Sequence, residues 1–240
     1  LKARKKSSRV AADGILVMAV TDTYATIVEL NSETDFAAKD SNFLAYSEKV
    51  KSFITENKVD DVEAFVGSSL EDDRKALVQT IGENIQLRRV ETIDYSSDMN
   101  IGMYLHSDSK LGSIVAVNNG SDQIAKDIAM HVSAFNPLCL SKEDIDQDIL
   151  ERERVIYQNQ AKESGKPEEI MEKMVEGKIN RYLSEVSLLS QSFVKDPDIS
   201  VADYLEKDNA SIAAYVRLKV GEGIEVEVKD FAEEVAEQLK

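Results

Sequence analysis

Few residues of the kinds that most often carry out chemistry occur in this chain of 240 residues. It has two histidines, His106 and His131, a single cysteine, Cys139, and a glycine pair in Gly221-Glu222-Gly223. Two separated histidines do not have the spacing of a zinc site, and one cysteine cannot form an internal disulfide. A phosphate-binding loop needs a further glycine, and the glutamate between these two would repel phosphate. We therefore expect no bound metal and no cofactor. The sequence also contains no nucleophile motif that would indicate an enzyme.

The charge of the chain narrows the class of partner. It contains 45 Asp and Glu against 29 Lys and Arg, a formal net charge of −16. Nucleic acids are bound largely through Lys and Arg, so we expect no direct nucleic-acid binding. No apolar run approaches the ~20 residues of a membrane-spanning helix, so we expect no membrane contact. Composition alone leaves a carboxylate-pair enzyme open, but a protein partner is the better expectation.

The segment Thr34-Asp35-Phe36-Ala37 is the most informative candidate site. Thr34 or Asp35 can cap a helix by accepting hydrogen bonds from its first N–H groups. Capping does not explain Phe36, which is either a local hydrophobic plug or an anchor that faces a partner. The pattern leaves both alternatives open. Elsewhere, His131 is favoured as a partly buried structural histidine, and Cys139 as a small buried apolar residue.

The elements that position this segment follow from hydrophobic periodicity. In the first half, strands are predicted over 15–20, 24–31 and 87–95, with helices over 36–57, 60–66 and 71–82. The pattern then restarts: a hairpin is predicted over 103–106 and 112–118, and a helix over 122–135. Residues 31–40 align with 118–127 at a constant offset, with Asn, Asp, Ala, Lys and Asp identical. In this alignment Thr34 pairs with Ser121, and Phe36 pairs with Gln123.

The repeat predicts an α+β fold of two related subdomains, each a small antiparallel sheet with helices on one face. We place the first subdomain at 14–98 and the second at 99–140 with 195–240. Residues 1–13 are predicted to be a basic linker. In the second subdomain we expect a helix over 201–205, a strand over 212–220 and a closing helix over 230–239.

An inserted antiparallel helical hairpin, a coiled coil, is predicted over 141–194. Gly165 and Pro167 suit the end of one helix and the first position of the next. The predicted apolar stripes comprise Ile145, Ile149 and Ile156 on the first helix and Met171, Val175, Tyr182, Val186 and Leu189 on the second.

The run Asn31-Ser32-Glu33-Thr34-Asp35-Phe36-Ala37-Ala38-Lys39 resembles the signature of the translation elongation factor Ts family. Further stretches resemble the family in the same order, over essentially the whole chain: 9–14, 131–134 with Pro137, 164–167, 172–178, 185–189, 220–224 and 230–232. The chain departs from the family pattern at Ala37, where Val is usual, and at Ser32, where Cys is frequent. The family also begins with a small helical domain resembling ubiquitin-associated domains, so residues 1–9 are expected to be the linker that follows it.

The resemblance implies a guanine-nucleotide exchange factor for elongation factor Tu, bound in its GDP and nucleotide-free forms, and not an enzyme. Thr34, Asp35, Phe36 and Ala37 would contact this partner and dislocate its Mg²⁺, and His131 would be a secondary contact. The expected location is the cytoplasm, or an organellar matrix for an organellar protein. Two alternatives remain: a scaffold that binds without exchanging nucleotide, and an RNA-associated protein that uses the basic arm 2–9.

Overall fold

The structure, a computed structural model, describes residues 9–225. Most of the predicted linker over 1–13 and the whole predicted helix over 230–239 lie outside the described residues. The chain divides into two compact units. The described part of the first comprises residues 9–92, 105–112 and 218–225, and the second comprises 93–104 and 113–217. The predicted subdomain boundaries remain a prediction of how the chain is organised.

The first unit is built on a three-stranded antiparallel sheet with helices packed against it. Its elements are β1 Asp13–Val20, β2 Tyr24–Ser32, α1 Asp35–Ala38, α2 Ser41–Glu56, α3 Glu63–Val66, α4 Ser69–Ile81 and β3 Gln86–Asp94, and the strand order is β1-β2-β3. Gly14 pairs with Asn31 and Val20 with Ala25 across the first hairpin. Val28 and Leu30 of β2 are fully buried and pack in one core with Phe43, Val50 and Ile54 of α2. This packing fixes the end of β2, from which the chain enters the candidate segment.

The second unit repeats the order of hairpin and helix. The elements that lie wholly or mainly in this unit are β4 Met99–Leu105, β5 Leu111–Asn118, α5 Asp122–Phe135, α6 Gln147–Glu163, α7 Glu168–Val186, β6 Ser192–Phe193, β7 Asp196–Ser200, α8 Val201–Glu206 and β8 Ser211–Lys219. Strands β4, β5 and β8 form one sheet in that order, and β6 pairs with β7. The α+β class is therefore confirmed. The order of elements supports the repeat, while superposition of the two copies remains a prediction.

The helix predicted over 36–57 is two helices. Asp40 adopts an extended backbone (φ −63°, ψ 139°), and its carboxylate accepts a hydrogen bond from the Asn42 N–H. Asp40 thus caps a new helix, and the chain changes direction between α1 and α2. This break leaves α1 as a single turn of four residues.

Helix α6 of the hairpin has a different contact face from the predicted one, while Met171 and Val175 of the predicted stripe on α7 do lie in the contact. Its core contains Ala161, Val175 and Ile179, against which Leu150, Tyr157, Met171 and Leu183 pack. Ile156 was wrongly assigned to the seam, since its side chain is 46% exposed. The seam of α6 follows Leu150, Tyr157 and Ala161, one residue later in the heptad than the predicted stripe, because these side chains pack in one cluster with Val175 and Ile179 of α7.

The glycine pair near the end of the described chain belongs to a buried ion network. Glu29 of β2 is fully buried and accepts hydrogen bonds from Arg88, Arg89 and the Gly221 N–H, the last at 2.8 Å. Gly221 has φ +76°, and a Cβ there would lie 2.3 Å from the carbonyl oxygen of Ala12, so only glycine fits. Burial opposes ionisation of Glu29, but the bonds from Gly221, Asn31 and Arg89 outweigh it and lower its pKa. The Gly221-Glu222-Gly223 segment, which does not form a phosphate-binding loop, therefore has a structural role in the first unit. We call its contact with Glu29 the clasp.

Candidate functional site

The candidate segment presents a large aromatic side chain to solvent. Phe36 is 81% exposed, the largest exposed fraction among the large hydrophobic side chains of residues 9–225. Burying such a ring against a partner would remove a large apolar area from water. Of the two alternatives left open by the sequence, the hydrophobic plug is inconsistent with this exposure. The Phe36 ring is available to a partner in the free chain.

The segment is shaped by a capped single turn. Thr34 has an extended backbone (φ −129°, ψ 159°), and its hydroxyl accepts a hydrogen bond from the Ala37 N–H at 3.2 Å. Ala37 and Ala38 are 5% and 4% exposed, so this side of α1 packs inward. The structure thus brings Thr34, Asp35 and Phe36 to the surface and places Ala37 beneath them. The sequence predicts that Ala37 contacts a partner at the surface. In the free chain its methyl group instead lies beneath the turn and supports it.

The Asp35 carboxylate is paired with a lysine of the same segment. Lys39 Nζ lies 2.7 Å from Asp35 Oδ2, and both side chains are exposed. The hydrogen bond from Lys39 holds the pKa of Asp35 below its ordinary value, and Asp35 raises the pKa of Lys39. Lys110 adds a smaller attraction for Asp35 and itself pairs with Asp13 at 2.7 Å. The carboxylate therefore remains ionised at neutral pH and has cationic neighbours.

The same capping geometry in the second unit serves a different purpose. The Ser121 hydroxyl accepts from the Ile124 N–H at 3.3 Å, as Thr34 does from Ala37. Gln123, which aligns with Phe36, donates through Nε2 to Asp127 Oδ1 at 2.7 Å. Asp127 also accepts from Lys195 at 2.6 Å and from the Tyr204 hydroxyl at 3.0 Å. The position that is exposed and aromatic in the first copy is thus a structural amide in the second.

His131, predicted as a secondary contact, is fully buried in the free chain. Its Nδ1 accepts from the Val194 N–H at 3.1 Å, so the proton is on Nε2, which donates to Gln191 Oε1 at 2.9 Å. Desolvation by burial lowers the pKa of His131, partly opposed by Gln191. The ring of Phe135 stacks on it, with centroids 4.6 Å apart, and Phe135 is 46% exposed. The imidazole therefore positions Phe135 and the Val194 backbone, and its role as a partner contact remains a prediction.

Sequence reasoning missed the residues that hold the segment from outside. Glu83 accepts two hydrogen bonds from Thr34, and the Asn84 N–H donates to Glu33 Oε1 at 2.6 Å. Their only sequence signal is a short polar run after Gly82, which ends α4 in a left-handed conformation (φ +90°). Such a run is typical of any loop, so the sequence gives no sign that it reaches residues 33 and 34.

Residues 9–225 also form open grooves. One of about 560 Å³ lies between α6 and α7 and is lined by charged and apolar side chains, among them Arg154, Lys162, Met171 and Glu176. Within the described part of the chain, no group of three or more His, Cys, Asp or Glu side chains is placed to hold a metal ion. No helix in the same range is long and apolar enough to cross a membrane. The exposed turn of Phe36 is the feature that best fits a specific interaction.

Comparison with known proteins identifies the family. The profile of the family described as Elongation factor TS matches residues 33–222. The chain is 50% identical to "Elongation factor Ts" of Hahella chejuensis over 242 aligned positions, covering 100% of this chain and 84% of that protein. It is 45% identical to the protein of the same name from Legionella pneumophila (strain Paris), covering 100% and 84%, and 44% identical to that of Hydrogenovibrio crunogenus, covering 98% and 81%. On this similarity, together with the matching segment around Phe36, the chain belongs to the elongation factor Ts family of translation elongation factors.

Proposed function

We propose that this protein is a guanine-nucleotide exchange factor that binds elongation factor Tu in its GDP-bound form and promotes release of GDP. The observation that carries the proposal is the exposed Phe36 ring on a capped turn, next to the ionised Asp35 carboxylate. Membership of the elongation factor Ts family supports elongation factor Tu as the partner. The protein acts by binding and changes no covalent bond, so it is not an enzyme.

In the proposed mechanism the two side chains act on different parts of the partner. Phe36 inserts into an apolar crevice of the GTPase domain, where burial of its ring supplies binding energy. Asp35 places a negative charge beside the groups that support Mg²⁺ and the phosphates of GDP. The ion and the phosphates lose their support, and GDP dissociates. Thr34 and Ala37 hold the turn in the shape that lets both side chains act together.

Exchange follows because the protein and GDP each weaken the binding of the other to the partner. If the protein lowers the affinity of the partner for GDP, GDP lowers the affinity of the partner for the protein by the same factor. Each tenfold change corresponds to about 1.4 kcal/mol. The protein therefore binds the nucleotide-free partner most tightly, and an incoming nucleotide displaces it. We place this cycle in the bacterial cytoplasm, with the relatives from bacteria as support.

The direct test mixes the protein with elongation factor Tu loaded with a fluorescent GDP analogue, and excess unlabelled GDP. We expect the release rate to rise with the concentration of the protein and to saturate. A scaffold would bind the partner without raising the release rate. An RNA-associated protein would show a salt-dependent shift with RNA, and neither result is expected.

A further inference from the structure

The carboxylate of Glu83 binds Thr34, the first residue of the contact turn, which comprises residues 34–38. Thr34 donates its N–H to Glu83 Oε2 at 3.0 Å and its hydroxyl proton to Glu83 Oε1 at 2.7 Å. The neighbouring bond runs the other way, since the Asn84 N–H donates to the Glu33 carboxylate at 2.6 Å. Asn84 is 3% exposed, and its side-chain amide donates to the carbonyl oxygen of Arg9 at 2.8 Å. Residues 83–84 therefore form a clamp on residues 33–34.

The contact turn needs such a clamp because α1 is too short to be stable on its own. A single helical turn fixes several backbone angles for one or two hydrogen bonds, and is unfavourable in isolation. The bond from the Ala38 N–H to the Thr34 carbonyl oxygen is long, at 3.3 Å. The direction in which Asp35 and Phe36 point therefore depends on where Thr34 is held.

The second unit shows that capping alone does not require a clamp. Ser121 caps α5, a helix of 14 residues that buries eight side chains and is held by its own packing. In the described part of that unit, no carboxylate accepts a hydrogen bond from Ser121. The clamp is present in the copy where the aromatic side chain faces solvent.

We propose that Glu83 is a positioning residue for the partner contact, acting through Thr34 to hold Asp35 and Phe36 in their binding orientation before the partner arrives. This inference rests on the proposed function. A pre-organised turn loses less conformational freedom on binding, so the clamp contributes to affinity. It does not itself act on the nucleotide. Once the partner is bound, Asp35 and Phe36 are held by the interface and the release step is unchanged.

The test measures GDP release from elongation factor Tu over a wide range of protein concentration. Glu83→Ala removes both acceptors, and Glu48→Ala removes an exposed glutamate of the same unit as a matched control. For Glu83→Ala we expect the concentration for half-maximal release to rise about tenfold, with a maximal rate within about twofold of wild type. Glu48→Ala is expected to match wild type in both quantities. Thermal unfolding of all three proteins is recorded alongside.

A double-variant cycle separates positioning through Thr34 from other roles. Thr34→Val removes the hydroxyl that donates to Glu83 Oε1 and caps the Ala37 N–H, but it keeps the N–H that donates to Glu83 Oε2. The two changes share one of the two clamp bonds, so adding Glu83→Ala is expected to give less than the product of the two single effects. Multiplying effects would overturn the inference, because Glu83 would then act independently of Thr34. A wild-type half-maximal concentration for Glu83→Ala, or a loss that follows a lowered melting temperature, would overturn it as well. The proposed function fails separately if wild-type protein does not raise the rate of GDP release. It also fails if Phe36→Ala raises that rate as much as wild type does, because release would then not depend on the contact turn.

Discussion

Asp35 and Lys39 form an ion pair across one helical turn, with Lys39 Nζ 2.7 Å from Asp35 Oδ2. The carboxylate proposed to act on the Mg²⁺ site of the partner is therefore already occupied by a cation in the free protein. Because both side chains are exposed, the pair is weak and opens readily. The partner has to offer Asp35 a better neighbour than Lys39, or accept both residues together.

Replacing Lys39 is expected to raise the pKa of Asp35. The hydrogen bond and charge of Lys39 favour the ionised carboxylate, so Lys39→Gln moves its pKa up towards the ordinary value for aspartate. The measurement is an NMR pH titration of the Asp35 side-chain carboxyl carbon in both proteins. Identical titration midpoints would show that the ion pair is not formed in solution. Lys49→Gln, which removes a lysine paired with Asp73, serves as the control and leaves the Asp35 midpoint in place.

Phe36→Ala is expected to slow GDP release about thirtyfold at limiting protein concentration, which corresponds to about 2 kcal/mol for an aromatic hot spot. The melting temperature is expected to stay within about 2 °C of wild type, because an 81% exposed ring contributes little to the core. Val66→Ala, which truncates a 65% exposed apolar residue of the same unit, is the matched control and is expected to behave as wild type. Undiminished release by Phe36→Ala would remove Phe36 from the site.

Asp35→Asn tests the negative charge separately from the fold. Asn retains the shape of Asp, and Asp35 lies in the first turn of α1 while Thr34 supplies the cap. We expect normal melting and slower GDP release if charge acts on the Mg²⁺ network. Asp122→Asn is the internal control, because Asp122 occupies the matching position in the second copy. Slow release by both variants, or by neither, would contradict the assignment of this role to Asp35.

How much of the site the sequence predicted depends on the range of the interactions. The helix cap is a local interaction, so the sequence restricted it to Thr34 or Asp35, and the structure selects Thr34. The exposure of Phe36 depends on how α1 packs, so the sequence left plug and anchor open. The Glu83 clamp spans 49 positions, and the Gln191 bond to His131 spans 60, so no local pattern contains them. The heptad of α6 was misassigned because Ile149 and Leu150 offer two stripes one residue apart, and only the fit to α7 selects between them.

Acid is expected to destabilise the second unit through His131. Burial lowers the folded-state pKa below the ordinary value of 6.5, so the unfolded chain binds more protons between these two values. Stability is therefore fully present above pH 6.5 and falls as the pH decreases towards the folded-state pKa. NMR titration of the imidazole is expected to give a midpoint below 6.5, with the proton on Nε2 at neutral pH. A midpoint at or above 6.5, or a smaller pH dependence of urea unfolding in wild type than in His131→Gln, would contradict this account.

Removing the helical hairpin is expected to leave a folded remainder only if the cut is placed correctly. The sequence predicts an insertion over 141–194, but Leu188 is fully buried in the core of the second unit, with Leu140 and Leu189 packed against it. The hairpin has a separate core around Ala161, Val175 and Ile179. We expect a variant with residues 148–183 replaced by a short linker to melt cooperatively, and a variant lacking 141–190 not to do so. Circular dichroism during heating compares the two, and equal melting of both would show that Leu188 and its neighbours are dispensable.

The clasp around Glu29 determines when the first unit can be completed during synthesis. Its carboxylate accepts a hydrogen bond from the Gly221 N–H, 192 positions later in the chain. While the chain is still being made, β2 and the arginines of β3 leave the ribosome long before this donor exists. The first unit made is therefore completed among the last, because Gly221 is translated after almost all of the described chain.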